Sequence, residues 1–345
     1  MNRVGPMVAS ILSKRVNLNL EPGQRVRIPD EARHVQFSAH LTDRQHKQLG
    51  RWFEGHPDAA LRVYGNYGSS IRDVDFLRFY PSLAAFSIDS MYSVFPDLSG
   101  LKYLPDGLRS LGLGIPSGAP GRDALSRHAS LETLAIAQHR ALPEEMSGLK
   151  NLKSIFIEGP VADLRTLEAL TLVEDLTLRS VSVPNLESIL PMTGLKSLDI
   201  KLGGIRDLRY IDRFPELTYL EIWMVRGLSD LSFLDRVTSL EELHLESLKN
   251  VVSVPSFAPL TRLRSITLQN MKGLLDLASI AEAPKLERLS LVEAKFLAPE
   301  AIKPFRGHPT LRDAIFGLGS PRKNARAHEL LGMGGAPPPS PWSRA

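Results

Sequence analysis

Leu195-Lys196-Ser197-Leu198-Asp199-Ile200 is followed by Leu217-Thr218-Tyr219-Leu220-Glu221-Ile222 and then by Leu240-Glu241-Glu242-Leu243-His244-Leu245. Each stretch reads L-x-x-L-x-L, and a fourth copy opens at Leu263, so the spacings are 22, 23 and 23 residues. Self-similarity at a fixed period of this size is the signature of a solenoid. A strand this short is not stable alone. Stacked copies make one parallel sheet, in which each strand pairs with the strands before and after it. Period-2 alternation turns the fourth and sixth positions inward and the third, fifth and seventh outward. Burying each inward leucine is worth roughly 1.5–3 kcal/mol.

The pattern extends far upstream. Ile71-Arg72-Asp73-Val74-Asp75-Phe76-Leu77-Arg78-Phe79-Tyr80-Pro81-Ser82-Leu83 aligns without a gap on Ile205-Arg206-Asp207-Leu208-Arg209-Tyr210-Ile211-Asp212-Arg213-Phe214-Pro215-Glu216-Leu217. The leading position recurs at Leu83, Leu108, Leu131, Leu152, Val173, Leu195, Leu217, Leu240, Leu263, Leu286 and Leu311. With a weaker unit at Leu61 this makes about twelve repeats. The longest intervals lie at the two ends, as atypical terminal repeats require. Pro81, Pro215, Pro284 and Pro309 each stand two residues before a leading position, where no ladder hydrogen bond is needed.

Residues 58–317 resemble the leucine-rich repeat family, in particular the short 22-residue subgroup typified by phosphatase-regulatory and internalin-type repeats. The strand motif carries the resemblance, together with a convex I-x-D-L-x-x-L segment at Ile205, Asp207, Leu208 and Ile211 and again at Leu228, Asp230, Leu231 and Leu234. The resemblance implies an α/β fold. It is a horseshoe or arc with a parallel sheet on its concave face and short helical or irregular convex segments. One feature departs from the family. At the ninth position, where the family usually has a buried Asn, this chain has Pro160, Val181, Gly203, Val225, Leu248, Met271 and Ala294. The turn must then close without the Asn amide, and looser curvature is expected. The convex acids Asp73, Asp163, Asp207, Asp230 and Asp276 are expected to cap the helical turns that follow them.

The ends read differently. Residues 1–33 form an N-terminal extension, with Leu18/Leu20 and Val26/Ile28 flanking the turn at Glu21-Pro22-Gly23-Gln24 as an edge hairpin would. Residues 34–57 read as a β-α cap: a strand at Val35-Gln36-Phe37, a capping box at Thr42 and Gln45, and an apolar stripe at Leu49, Trp52 and Phe53. Gly55 and Pro57 end that helix. Residues 318–345, rich in Gly, Pro and Ala, are expected to be a disordered tail.

Composition removes several classes of function. The chain has 345 residues and no cysteine, which excludes disulfides, cysteine zinc sites and thiol catalysis. No apolar run approaches the length of roughly 18 residues that a membrane span needs. The net charge of +4 comes from the ends, and the repeat body is slightly acidic, which argues against a nucleic-acid partner. His328-Glu329 opens like a zinc-protease helix, but Gly332 stands where the second His belongs. Gly112-Leu113-Gly114 falls within a repeat strand and lacks the helix that phosphate binding requires. No catalytic, cofactor or metal residue is assigned, and a monomeric cytoplasmic protein without enzymatic activity is expected.

The outward strand positions carry what remains. Large and charged groups gather in the middle and later units: Phe156, Glu158, Arg179, Asp199, Lys201, Tyr219, Glu221, Trp223, Glu242, His244, Glu246, Gln269 and Arg288. Tyr219 and Trp223 share one strand, flanked by Glu221, Glu242 and Glu246, which reads as an exposed aromatic hot spot ringed by carboxylates. The family resemblance and this patch together imply a non-catalytic scaffold that binds a protein partner, with carboxylates that select a basic one. An immunity-type or regulatory inhibitor of a basic toxin or enzyme is a narrower form of the same reading. The substrate-recognition arm of an enzyme is a third reading, for which the short non-repeat ends leave no room.

Overall fold

The computed structural model describes residues 15–17, 24–64, 71–88, 97–114, 118–137 and 142–332. The chain divides into two compact units, residues 1–172 and 173–345.

In the first unit the strands are β1 (Arg15–Asn17), β2 (His34–Phe37), β3 (Ala60–Val63), β4 (Ala85–Ile88), β5 (Ser110–Gly114), β6 (Thr133–Ala137) and β7 (Ser154–Glu158). Each pairs in parallel with the next in chain order. The second unit repeats the arrangement with β8 (Asp175–Arg179), β9 (Ser197–Lys201), β10 (Tyr219–Trp223), β11 (Glu242–Glu246), β12 (Ser265–Gln269), β13 (Arg288–Val292) and β14 (Asp313–Phe316). The strands from β3 to β14 correspond one for one to the twelve repeats read from the sequence.

The core sits between the sheet and the convex segments. In the repeat that opens at Leu195, Leu198 and Ile200 from the strand meet Ile205, Leu208 and Ile211 from the convex side, all at most 2% exposed. The convex segments are mainly short 3-10 turns, such as Arg209–Arg213 and Ser232–Arg236. Their acids act as expected. The Oδ1 atoms of Asp73, Asp163, Asp207, Asp230 and Asp276 each accept the backbone N–H two residues on, at 2.8–3.2 Å. These side chains close turns and so serve the fold.

The missing Asn is replaced by a backbone device. The residue after the strand is left-handed at Ser180, Leu202, Met224, Ser247, Asn270 and Glu293, with φ between 50° and 61°. For the first five, the N–H still reaches the next strand, as in Ser180 N to Lys201 O at 2.7 Å and Met224 N to Glu246 O at 2.8 Å. The chain then turns inward and buries the ninth position: Val181, Gly203, Val225, Leu248, Met271 and Ala294 all lie in the core. Pro160 is the exception. It is exposed, and Val161 is buried in its place.

At the N-terminal end, helix α1 (Asp43–Glu54) carries the full capping box, with the Thr42 hydroxyl accepting from Gln45 N and the Gln45 side chain bonded to Thr42 N. Leu49 and Phe53 are buried. Trp52 is half-buried and stacks on His56 at 3.8 Å. Gly50 faces the convex turn so closely that a Cβ there would lie 2.0 Å from the Phe79 carbonyl oxygen. The hairpin drawn over residues 1–33 is not what the described residues show. Val26–Ile28 is not a strand, and β1 pairs in parallel with β2. Leu18, Leu20 and the turn at Glu21 to Gly23 lie outside the described residues.

The C-terminal end corrects the expectation of a disordered tail. A one-turn helix, α2 (Ala278–Ala281), belongs to the repeats, but α3 (Pro321–Leu331) lies beyond them and packs on the 3-10 turn Pro299–Phe305. Ser320 accepts from Lys323 N, Pro321 occupies the first turn and Gly332 closes the helix with φ 76°. Ala327 and Leu331 are buried, and they cover the open end of the last repeat. The Gly, Pro and Ala bias that suggested disorder belongs mainly to residues 332–345, and most of these lie outside the described residues. Among the described residues no helix is long and apolar enough to cross a membrane.

Candidate protein-binding face

Parallel register turns the outward positions of the second unit into rows. One row runs Asp175, Ser197, Tyr219, Glu242, Ser265 and Arg288; the middle row runs Thr177, Asp199, Glu221, His244, Thr267 and Ser290. The third runs Arg179, Lys201, Trp223, Glu246, Gln269 and Val292. Eleven of the residues singled out in the sequence therefore share one face of one sheet. Phe156 and Glu158 lie in the first unit, half-buried, in register with Ala135 and Ala137 of β6.

Within the second unit several of these side chains touch. Lys201 Nζ lies 3.1 Å from Asp199 Oδ1 and 3.0 Å from Glu221 Oε2. The Tyr219 hydroxyl donates to Glu221 Oε2 at 3.0 Å, and Thr177 donates to Asp199 Oδ2 at 3.2 Å. Arg179 stands over the Trp223 ring at 5.9 Å, within cation–π range. His244 Nε2 is 3.7 Å from Glu246 Oε2, and Arg288 reaches Glu242 Oε1 at 4.0 Å. The Gln269 backbone oxygen accepts from Ser247 N at 2.9 Å.

The exposed aromatic hot spot is corrected by this packing. Tyr219 and Trp223 are half-buried, and Asp199 and Glu221 are only 7% and 8% exposed. Long neighbours in adjacent rows lie across them, so the strand centre is covered even on the outward side. Trp223 therefore does not simply point to solvent, and truncating it would also perturb the sheet face. The large apolar side chain that does reach solvent here is Met224, 48% exposed, at the left-handed position after β10. Period-2 alternation makes only the third, fifth and seventh positions outward and does not extend to this eighth position. Asn270, whose amide donates to Ser247 Oγ at 3.0 Å, belongs to the same added row.

Burial sets the electrostatics. It raises the Asp199 carboxyl to about 7, with Lys201 pulling the other way and Glu221 adding to the rise. Burial also opposes ionisation of Glu221, but a hydrogen bond with Asp199 and the Lys201 charge hold it below the usual carboxylate range. Lys201 is disfavoured by burial, yet the two carboxylates raise it overall. Burial lowers His244, and burial together with Glu221 and Glu293 raises Glu246. Burial, with Glu221 next, pushes the Tyr219 hydroxyl upward. Among the described residues no group of three or more His, Asp or Glu side chains is placed to hold a metal.

Short parallel strands at a 21–25-residue period, a core of repeated leucines and 3-10 turns behind the sheet define a leucine-rich repeat solenoid. Among solved structures the chain is similar to an internalin, InlF, from Listeria monocytogenes str. 4b F2365, at 21% identity over 82% of this chain and 78% of that one, with a TM-score of 0.57. It is also similar to TLR13 from a TLR13–ssRNA13 complex, at 17% identity over 81% of this chain and 46% of that one, with a TM-score of 0.55. These likenesses concern the fold. No protein-family model and no curated protein matches the chain.

Proposed function

We propose that the protein is a non-catalytic scaffold that binds a protein partner through the open face of β8–β13. The observation that carries this reading is the pre-set face itself. Lys201, Asp199, Glu221 and Tyr219 hold one another at hydrogen-bond and ion-pair distances, so little side-chain freedom is lost when a partner arrives. Around that rigid centre, Glu242, Glu246 and Glu293 supply negative charge and Met224 supplies apolar contact. A basic partner suits this rim, and the carboxylates would chiefly speed its arrival and select it. Regulation or neutralisation of that partner is the narrower form of the same function.

The test is quantitative affinity capture with the wild type and with Glu242→Ala combined with Glu246→Ala, partners being identified by mass spectrometry and melting curves recorded for both. A partner lost from the double variant at unchanged melting temperature supports the reading, and its binding weakens with salt because rim charges are screened. Equal capture by both chains moves the binding site off this face.

A further inference from the structure

Two carboxylates and one ammonium occupy the centre of the face on β9 and β10. Register sets Asp199 directly beside Glu221, and both are more than nine-tenths buried. Lys201 bridges them at 3.1 and 3.0 Å. Other neighbours of the pair stand on the same and the flanking strands. On β8, Thr177 donates to Asp199, and the charged residues Asp175 and Arg179 occupy the flanking rows. On β10, Tyr219 donates to Glu221, and on β11, His244 is in register with Glu221, between Glu242 and Glu246. The imidazole is depressed by burial and brings no positive charge at neutral pH. A buried group of two like charges and one opposite charge is out of balance by one. A proton on one carboxyl restores the balance and gives the other carboxylate a hydrogen-bond donor.

We propose that Asp199, Glu221 and Lys201 form a one-proton switch within the binding face, neutral when Asp199 carries the proton and negative when it is released. Asp199 is the member that holds it, because burial and the adjacent Glu221 both disfavour its ionised form. Release turns the centre of the face negative without any change of fold. By linkage, a cationic group placed on the face promotes release, and lower pH opposes that group's binding. This consequence for partners rests on the protein-binding reading, whereas the switch itself does not.

The test needs no partner. The full-length protein is labelled with aspartate carrying 13C at the side-chain carboxyl and titrated by NMR. The Asp199 signal is assigned by its disappearance in Asp199→Asn. The expected midpoint is about 7, while exposed aspartates titrate at roughly 4. In Glu221→Gln the triad is reduced to one carboxylate and one ammonium. The Asp199 midpoint should then fall, because the neighbouring carboxylate that raises it is gone while the Lys201 ammonium that lowers it remains. A wild-type Asp199 signal that titrates at roughly 4 overturns the switch, as does an unchanged midpoint in a folded Glu221→Gln chain. The wild-type titration decides the question even if that variant does not fold. Failure here leaves the protein-binding reading intact, because capture by the face is measured separately.

Discussion

Glycine should stabilise this protein at positions where side chains now stand. Ser180 and Glu293 hold left-handed backbone, with φ of 61° and 50°. For an L-residue that conformation costs roughly 1–2 kcal/mol, from the clash of Cβ with the following carbonyl. Glycine removes the clash but is more flexible in the unfolded chain, which returns roughly 0.5–1 kcal/mol. The net expectation is a gain of about 0.5–1 kcal/mol at each site. The two sites sit on repeats five strand spacings apart, roughly 24 Å, so their effects should add in the double variant Ser180→Gly with Glu293→Gly. Urea unfolding monitored by circular dichroism is the assay. The midpoint should rise with an unchanged slope, because the surface exposed on unfolding is nearly the same. Ser180→Ala and Glu293→Ala are the controls. Alanine keeps the clash, so it should give none of the gain from backbone relief, although Glu293→Ala also relieves repulsion on Glu246. A glycine variant less stable than its alanine counterpart would refute the argument that these positions carry backbone strain.

Two further outcomes follow from burial. Leu331→Ala removes a side chain that is 3% exposed where α3 covers the last repeat, and should cost about 2–3 kcal/mol and speed hydrogen exchange in β14 and α3, at the low end of core truncations because a helix at the end of a stack can partly collapse into the gap. Leu220→Asp places a carboxylate at a fully buried strand position and should abolish cooperative unfolding of the second unit; a melting curve like that of the wild type would show that β10 does not have the inward face assigned to Leu220.

The repeat pattern was legible because the same side chain does the same work in every unit. Leu195, Leu217, Leu240 and Leu263 lead successive strands, and each is fully buried. The capping acids were legible for a related reason: an Asp two residues before a 3-10 turn has one nearby donor to satisfy, and Asp207 and Asp230 satisfy it. The helix α3 was obscured because its signals are brief. Ser320, Pro321 and Gly332 mark its start and stop, but they lie in a stretch whose overall composition resembles a linker. The burial of Asp199 and Glu221 was harder still to read. Each occupies an ordinary outward position in its own motif, and only the register between two strands makes them adjacent. Alternation describes one strand, whereas burial on a sheet face depends on the length of the side chains in the neighbouring rows.

That distinction narrows the proposed binding face. Asp199, Glu221, Tyr219 and Lys201 already contact one another, and a partner that paired directly with Lys201 would compete with two carboxylates. Their role is to fix geometry and charge at the centre. Glu246 is differently placed. Burial and two neighbouring carboxylates raise it, and the imidazole beside it is held in its neutral form by burial. A cation delivered at Glu246 would relieve the repulsion from Glu221 and Glu293, in the same sense as the favourable contributions of Trp223 and Lys201. Met224 follows β10 directly, its backbone N–H bonded to the Glu246 carbonyl, and its side chain is 48% exposed. A basic side chain with an aliphatic stem, lysine or arginine, matches that pairing of carboxylate and thioether better than a compact cation does. For the proposed scaffold and a basic partner, this makes Glu246 and Met224 the favoured place for a charge-selecting contact, with Glu246 one strand away from Glu221.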